Sequence, residues 1–386
     1  MYALIALYNF LFFSKFWKNP YLNHTSEIAT TFFPHWHWIG NSLRKLKFPF
    51  TDQLYYKYPA SIPFLSTFYP PHFLSAFIGS FLSLDNSFRL FTYLILSHYI
   101  LGSFLAFEMF SLWTSPPVAL FGALTLMYSG YSIKIQQPCI AYTLAWIPGI
   151  FLGGGFGAFS FAMVVYAGYY PIFVYVLPFI LYAHPVESFF GCILGLPQLI
   201  LFFVYLRKSV RWKNPLNQDK NFGRVPILKL LEFFLPIKRR IHTHGVMFME
   251  MCMYMSPLIF LFMWFSHSRF WIVLLFGILV TIGVIPAVQR IPARALYLMT
   301  LSLSILAVDG LKRWQLSSQE SYVIVFLQAV LLLINRDIYP CFPFTQPWSK
   351  PLRKLYDVTG YITGKPHFDY HGAFRLHEER TNIRFN

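Results

Sequence analysis

The chain has 386 residues, of which 56% are hydrophobic and only 12% charged, with a mean hydropathy of +0.50 and a net charge of +16. A soluble domain carries about 25% charged residues, so the composition argues against a water-soluble enzyme and predicts an integral membrane protein. Runs such as FWIVLLFGILVTIGVIPAV (270–288) are apolar on every face, which points to helices rather than to the alternating segments of a β-barrel.

In chain order, a first span is expected over about 1–17. It lacks a positive n-region and a small-residue cleavage site, so it is not read as a removed signal peptide. Only 14 residues precede Lys15, so either Lys15 and Lys18 snorkel or the true start lies upstream. A wet segment, 18–71, follows. It is rich in Trp, Tyr and Pro, the residues of a membrane–water interface, and 27–47 within it is expected to form a short amphipathic helix on that surface. HFLSAFIGSFLSL (72–84) is short for a span and reads as re-entrant or interfacial. Further spans are expected at 87–112, 116–133, 139–153, 155–167, 170–184 and 186–206, with GGG (153–155) as a tight turn that needs glycine. The basic loop 207–246 holds ten Lys/Arg against two acids. Spans resume at 247–265, 270–286, 294–310 and 321–335, and a polar tail occupies 336–386. The expected architecture is therefore all-α: a polytopic membrane helical bundle over 1–335 with about eleven spans and a large loop after the first. With the N-terminus on the cytoplasmic side, the far-side loops would hold about twenty Lys/Arg, and the near side only Arg269, Lys312 and Arg313. The positive-inside rule favours the opposite orientation.

The positive surplus suits phosphates, as lipid headgroups or a lipid-linked phosphate. Nucleic acid is not expected, because the basic residues are scattered through loops between spans. Cys139, Cys192, Cys252 and Cys341 have no metal spacing and read as buried small apolar side chains. His35 and His37 share a face only on a strand, and without a placed carboxylate they read as part of the aromatic belt. His367, Asp369 and His371 read as a solvated tail. His98 and Glu108, inside the second long span, lie on different faces and cannot pair with each other. His98 with Gly102 one turn on suggests close helix packing. Asp309 is expected to pair locally with Lys312 and Arg313. No P-loop, G-x-G-x-x-G or G-x-S-x-G motif occurs.

Several segments in order resemble the YfhO-type bacterial membrane proteins of the GT-C glycosyltransferase superfamily. They are EIATTFFP (Glu27, Pro34), FYPPHFL (Tyr69, Pro70), LSHYILGSFLA (His98, Gly102), AGYYP, and LGLPQLILFFVYLRKSVR with Ser209 and Arg211. LLEFFLP and IPARALYLMTLSLSILAVDGL (Pro292, Arg294) continue the series to about residue 315. The family's acid is usually Asp where this chain has Glu27, and most members are longer. The resemblance implies a GT-C-like bundle in the bacterial cytoplasmic (inner) membrane. Its activity would be transfer of a sugar from a polyprenyl-phosphate donor to an extracytoplasmic glycopolymer, lipid or protein. Glu27 would then be the catalytic base. Arg211, Arg294, Lys238, Arg239 and Arg240 would hold the donor phosphates, and Trp36, Trp38, Tyr69 and His98 would line the substrate groove. No cofactor is indicated. A divalent metal stays open, with Glu27 and Asp52 the first loop's only acids. Two alternatives also stay open: a transporter or flippase of a lipid-linked or anionic substrate, and a non-catalytic membrane protein descended from the family.

Overall fold

A computed structural model describes residues 1–20, 28, 32–47, 66–135, 137–208, 225–236, 253–285 and 292–336. Among these residues the chain is all-helical, with no strand. The N-terminal apolar run breaks at Phe13 into α1 (Tyr2–Phe12) and α2 (Ser14–Lys18). Then come α3 (Phe33–Arg44), α4 (Pro70–Gly79), the long α5 (Leu84–Ser111), α6 (Pro116–Met127), α7 (Pro138–Ile150), α8 (Gly154–Ala167) and α9 (Tyr170–Ala183). After them come α10 (Pro185–Leu194), α11 (Leu196–Lys208), α12 (Pro257–Met263), α13 (Phe270–Thr281), α14 (Leu296–Arg313) and α15 (Ser318–Ile334). Proline at the first or second helical position opens α3, α4, α6, α7, α9, α10 and α12, where its missing N–H costs nothing and its fixed φ suits the helix.

α5, with 28 residues, is about 42 Å long and serves as the ruler of the bundle. Among the described residues it is the one helix long and apolar enough to cross a membrane. A second candidate is the pair Pro185–Leu194 and Leu196–Phe203, bent by 76°, if it counts as one span. The expected eleven spans are thus not reproduced as eleven span-length helices among the described residues, where seven other apolar helices run only 10–17 residues. The interruptions have local causes. The expected span 186–206 turns at Gly195, and the expected span 247–265 is helical over α12, with 241–252 outside the described residues. Gly153 and Gly154 have positive φ (73° and 57°), so the GGG segment is a turn that only glycine adopts without strain.

The helices shuttle between two ends. Tyr2 OH donates to Glu108 at the last turn of α5, so α1 begins where α5 ends. α1 finishes where Asn9 Nδ2 donates to Tyr128 OH at 3.0 Å and Arg336 Nη1 donates to the carbonyls of Leu11 and Phe12 at 2.9 and 3.1 Å. Among the described residues, one end of the bundle therefore carries only the short connections 112–115, 151–153, 184, 264–269 and 314–317. The other carries α3, α4, residues 128–135 and the approaches to the long loops. Packing between elements is tight. A Cβ on Gly310 of α14 would lie 1.9 Å from the Phe262 carbonyl oxygen of α12, so the two backbones touch. A buried polar knot ties α6 and α15 to the strap 253–256: Gln328 Nε2 donates to Thr125 Oγ1 (3.1 Å) and to the Met255 carbonyl (3.2 Å), while its Oε1 accepts from Ser256 Oγ.

The outward faces are as apolar as the core. Leu4, Leu7 and Phe10 on α1, Phe189, Phe190 and Ile193 on α10, Ile272 and Leu275 on α13, and Val323 and Phe326 on α15 are all exposed. Helices apolar on every side belong either inside a large protein or in a lipid phase.

Candidate functional site

Tyr69 precedes Pro70-Pro71 and is held extended (φ −67°, ψ 115°) at the cap of α4, as a residue before proline must be. That conformation turns its fully buried ring into the bundle, toward α5 and α7. There its hydroxyl meets His98 Nε2 at 2.5 Å and accepts from Trp146 Nε1 at 2.6 Å. His98 Nδ1 lies 2.6 Å from the Leu94 carbonyl. A carbonyl only accepts and an indole N–H only donates, so the network assigns every proton. Trp146 N–H donates to the Tyr69 oxygen, Tyr69 O–H donates to His98 Nε2, and His98 Nδ1–H donates to Leu94. The neutral imidazole completes a chain in which each polar atom has a partner, the condition for a polar network in a dry interior.

Tyr142 sits one turn before Trp146 on α7, so both project from the same face. Its ring stacks on Tyr69 (centroids 5.0 Å apart, 23° between planes) and lies 4.3 Å from His98. Its hydroxyl is 3.4 Å from His72 Nδ1 on α4. His72 Nε2 has no hydrogen-bond partner among the described residues although the side chain is buried. Thr67 Oγ1 lies 3.4 Å from His35 Nε2 on α3. Three buried imidazoles and two tyrosines thus collect where α3 and α4 cover the loop-end half of α5. Gly102, one turn beyond His98, admits Met127 and the Ala145 backbone, since a Cβ there would lie 2.4 and 2.9 Å from them. The expected close packing at this turn is present.

A second group lies at the same end. Tyr99 OH accepts the Lys134 backbone N–H at 2.6 Å and donates to the Ser132 carbonyl at 3.1 Å. The Tyr131 N–H reaches Thr300 Oγ1 at 3.1 Å, which fixes the 128–135 segment against the start of α14. Lys134 is only 4% exposed, and its ammonium stands 4.0 Å from the Tyr131 ring centroid. Arg294, in the turn Pro292–Ala295 that leads into α14, is half-buried with its guanidinium 5.4 Å from the Tyr169 ring. Both cations face aromatic quadrupoles, a contact that strengthens on desolvation.

The residues expected from sequence divide as follows. Tyr69 and His98 are hydrogen-bonded to each other. Trp36 is fully buried between α3 and α4, donating to Ser75 Oγ at 3.0 Å, and Trp38 is also buried. His35 and His37 lie on a helix, not a strand. α3 packs its Trp36 and Ile39 side inward, and Gly40 lets it press on α4: a Cβ there would be 2.0 Å from the Ala76 carbonyl oxygen. Glu108 is paired with Tyr2 at the short-turn end, far from His98. Asp309 pairs with Arg313 (3.3 Å) and also caps the 266–268 turn through Ser266 Oγ (2.7 Å) and the His267 N–H (3.1 Å). Glu27, Arg211, Lys238, Arg239 and Arg240 lie outside the described residues, as do His367, Asp369 and His371. The segment with Glu27 departs at Pro20, whose carbonyl accepts from Thr92 Oγ1 at 3.4 Å, and returns at Phe33, whose ring meets Phe88 edge-on at 4.9 Å. Among the described residues no group of three His, Cys, Asp or Glu side chains is placed to hold a metal ion.

Sequence reasoning missed His72, Tyr142, Trp146 and Lys134. A lysine inside the otherwise uncharged SGYSIKIQQP was the one signal available beforehand. No family model, curated protein or solved structure matches the chain.

Proposed function

We propose that the protein is a multi-pass membrane glycosyltransferase of GT-C type, moving a sugar from a polyprenyl-phosphate donor to a hydroxyl of a cell-envelope acceptor. The observation that carries this reading is the pairing of an apolar outer surface with a single end from which the long loops depart and where Lys134 is buried and Arg294 half-buried. An apolar exterior suits lipid. A prenyl-linked donor then presents its phosphate at the edge of the bundle, where guanidinium and ammonium groups bind phosphate oxygens by charge-assisted hydrogen bonds. In the reaction the acceptor oxygen attacks the anomeric carbon and the bond from that carbon to the phosphate oxygen breaks. Polyprenyl phosphate leaves with the electron pair, and the acceptor proton passes to the Glu27 carboxylate. One base is enough for this inverting displacement, because phosphate leaves without protonation. The Tyr69–His98–Trp146 chain holds the start of α4, and so the exit of the first loop, in one position relative to α5 and α7.

Glu27→Gln is expected to lower transfer from a polyprenyl-phosphate sugar at least a hundredfold with insertion unchanged, measured with radiolabelled donor on purified full-length protein. Unchanged turnover removes Glu27 as the base. Vesicle uptake of the donor without covalent product replaces the transferase by a transporter.

A further inference from the structure

The short-turn end holds a feature that sugar transfer does not use. Between the turn that joins α5 to α6 and the turn that joins α14 to α15 lies an open cavity of about 460 Å³, within the roughly 300–1,000 Å³ usual for small-molecule sites. Its wall includes Ser111, Trp113, Thr114, Ser115, Lys312 and Ser321. Ser111 Oγ is buried with no hydrogen-bond partner among the described residues. Ser115 caps α6 without using its hydroxyl. Lys312 forms no ion pair among the described residues and leans on the Trp113 ring, 5.8 Å from its centroid. The neighbouring acids are engaged elsewhere: Asp309 with Arg313 and Ser266, and Glu320 with the Ser317 hydroxyl and N–H. One cation, an aromatic wall and several hydroxyls suit a single phosphodiester carrying a small polyol.

The surface beside the cavity identifies the rest of the ligand. Ser321 lines it, and from the next residue onward α15 presents Tyr322, Val323, Phe326 and Leu327 outward, 42%, 58%, 66% and 45% exposed. These positions form one helical face, an apolar track leading from the mouth of the cavity toward the other end of the bundle. A polar, cationic pocket at the head of such a track matches an amphiphile with a phosphate head and hydrocarbon tails.

We infer that this cavity binds the headgroup of an anionic glycerophospholipid, phosphatidylglycerol in its chemistry, with the acyl chains along the outer face of α15. The site lies in the leaflet opposite the proposed transfer chemistry. The inference rests on the membrane reading above but not on the transfer reaction, so the two fail separately. A site of this kind clamps the α5–α6 and α14–α15 turns together from outside.

The test is native mass spectrometry of the delipidated full-length protein titrated with phosphatidylglycerol, phosphatidylcholine and glycerol 3-phosphate. One molecule of phosphatidylglycerol is expected to bind in preference to phosphatidylcholine. Lys312→Ala should weaken it roughly fivefold, and Val118→Trp, which fills the cavity, should abolish it. Sugar transfer in detergent should be unaffected by Lys312→Ala. Equal binding of phosphatidylglycerol by the parent, Lys312→Ala and Val118→Trp overturns the site. Glycerol 3-phosphate binding as tightly as the lipid overturns the lipid assignment. Lys312 is exposed, so its replacement leaves folding intact even where Val118→Trp does not.

Discussion

The two ends of the bundle handle polar groups in opposite ways. At the loop end His98, Tyr69, Trp146, His72 and Lys134 are drawn inside, and Tyr69, His98, Trp146, His72 and Tyr142 are joined across distant parts of the chain. At the short-turn end the polar groups sit near the surface; Asp309 pairs with Arg313 one turn on and Ser317 with Glu320 in a capping box, while Tyr2–Glu108 and Ser266–Asp309 join distant elements where water can reach them. Buried polar groups have no water to fall back on, so each depends on one geometry. Surface groups exchange a protein partner for water at little cost. The loop end is therefore built for a fixed arrangement, and the short-turn end for tolerance.

The contrast breaks most visibly at the α3–α4 contact. Gly40→Val places carbon where the Ala76 carbonyl oxygen already lies, so backbone must move. A loss of about 4 kcal/mol or more is expected, read as loss of protease protection for residues 33–44 and 70–79 in the folded protein. Tyr69→Phe is the next largest. It strips one oxygen from the chain and leaves His98 Nε2 and Trp146 N–H buried without it. The expected cost is about 3 kcal/mol, measured by thermal unfolding in detergent. Rescue by a second change, Trp146→Phe, would show that the orphaned donor carried part of that cost.

Glu320→Gln at the opposite end gives the smallest shift. The Ser317 hydroxyl, and then the Ser317 N–H, hold this carboxyl below the ordinary carboxylate value. A depressed value means stability present above the unfolded value and lost as pH falls through the folded one. The parent should therefore lose a small increment on acidification that the Gln variant does not show. An effect as large as that of Tyr69→Phe would erase the distinction between the ends.

Legibility from sequence follows the same division. Most helix starts were readable because proline fixes them locally, as at Pro70, Pro116, Pro138 and Pro185. The pairing of Asp309 with Arg313 was readable because it spans one turn. What faces inward was not. On α6, α8 and α13 apolar residues occupy every side, so periodicity gives no direction to the core. Tyr142 and Trp146 looked like any aromatics in an apolar run, and their common partner Tyr69 lies 73 positions from Tyr142 and 77 from Trp146. The bend at Gly195 was hidden for the same reason: a glycine within an apolar stretch reads as continuous span until the 76° angle is seen.

The most direct test of the central claim, a bundle that spans a lipid bilayer with its loop end on the active side, is cysteine accessibility. Lys45 at the loop end and Gln315 at the short-turn end are both exposed, and each can be replaced by Cys in a chain whose four native cysteines are removed. A membrane-impermeant maleimide applied to intact cells is expected to label Lys45→Cys, and Gln315→Cys only after permeabilisation. Labelling of both variants from the same side would contradict a membrane-spanning bundle.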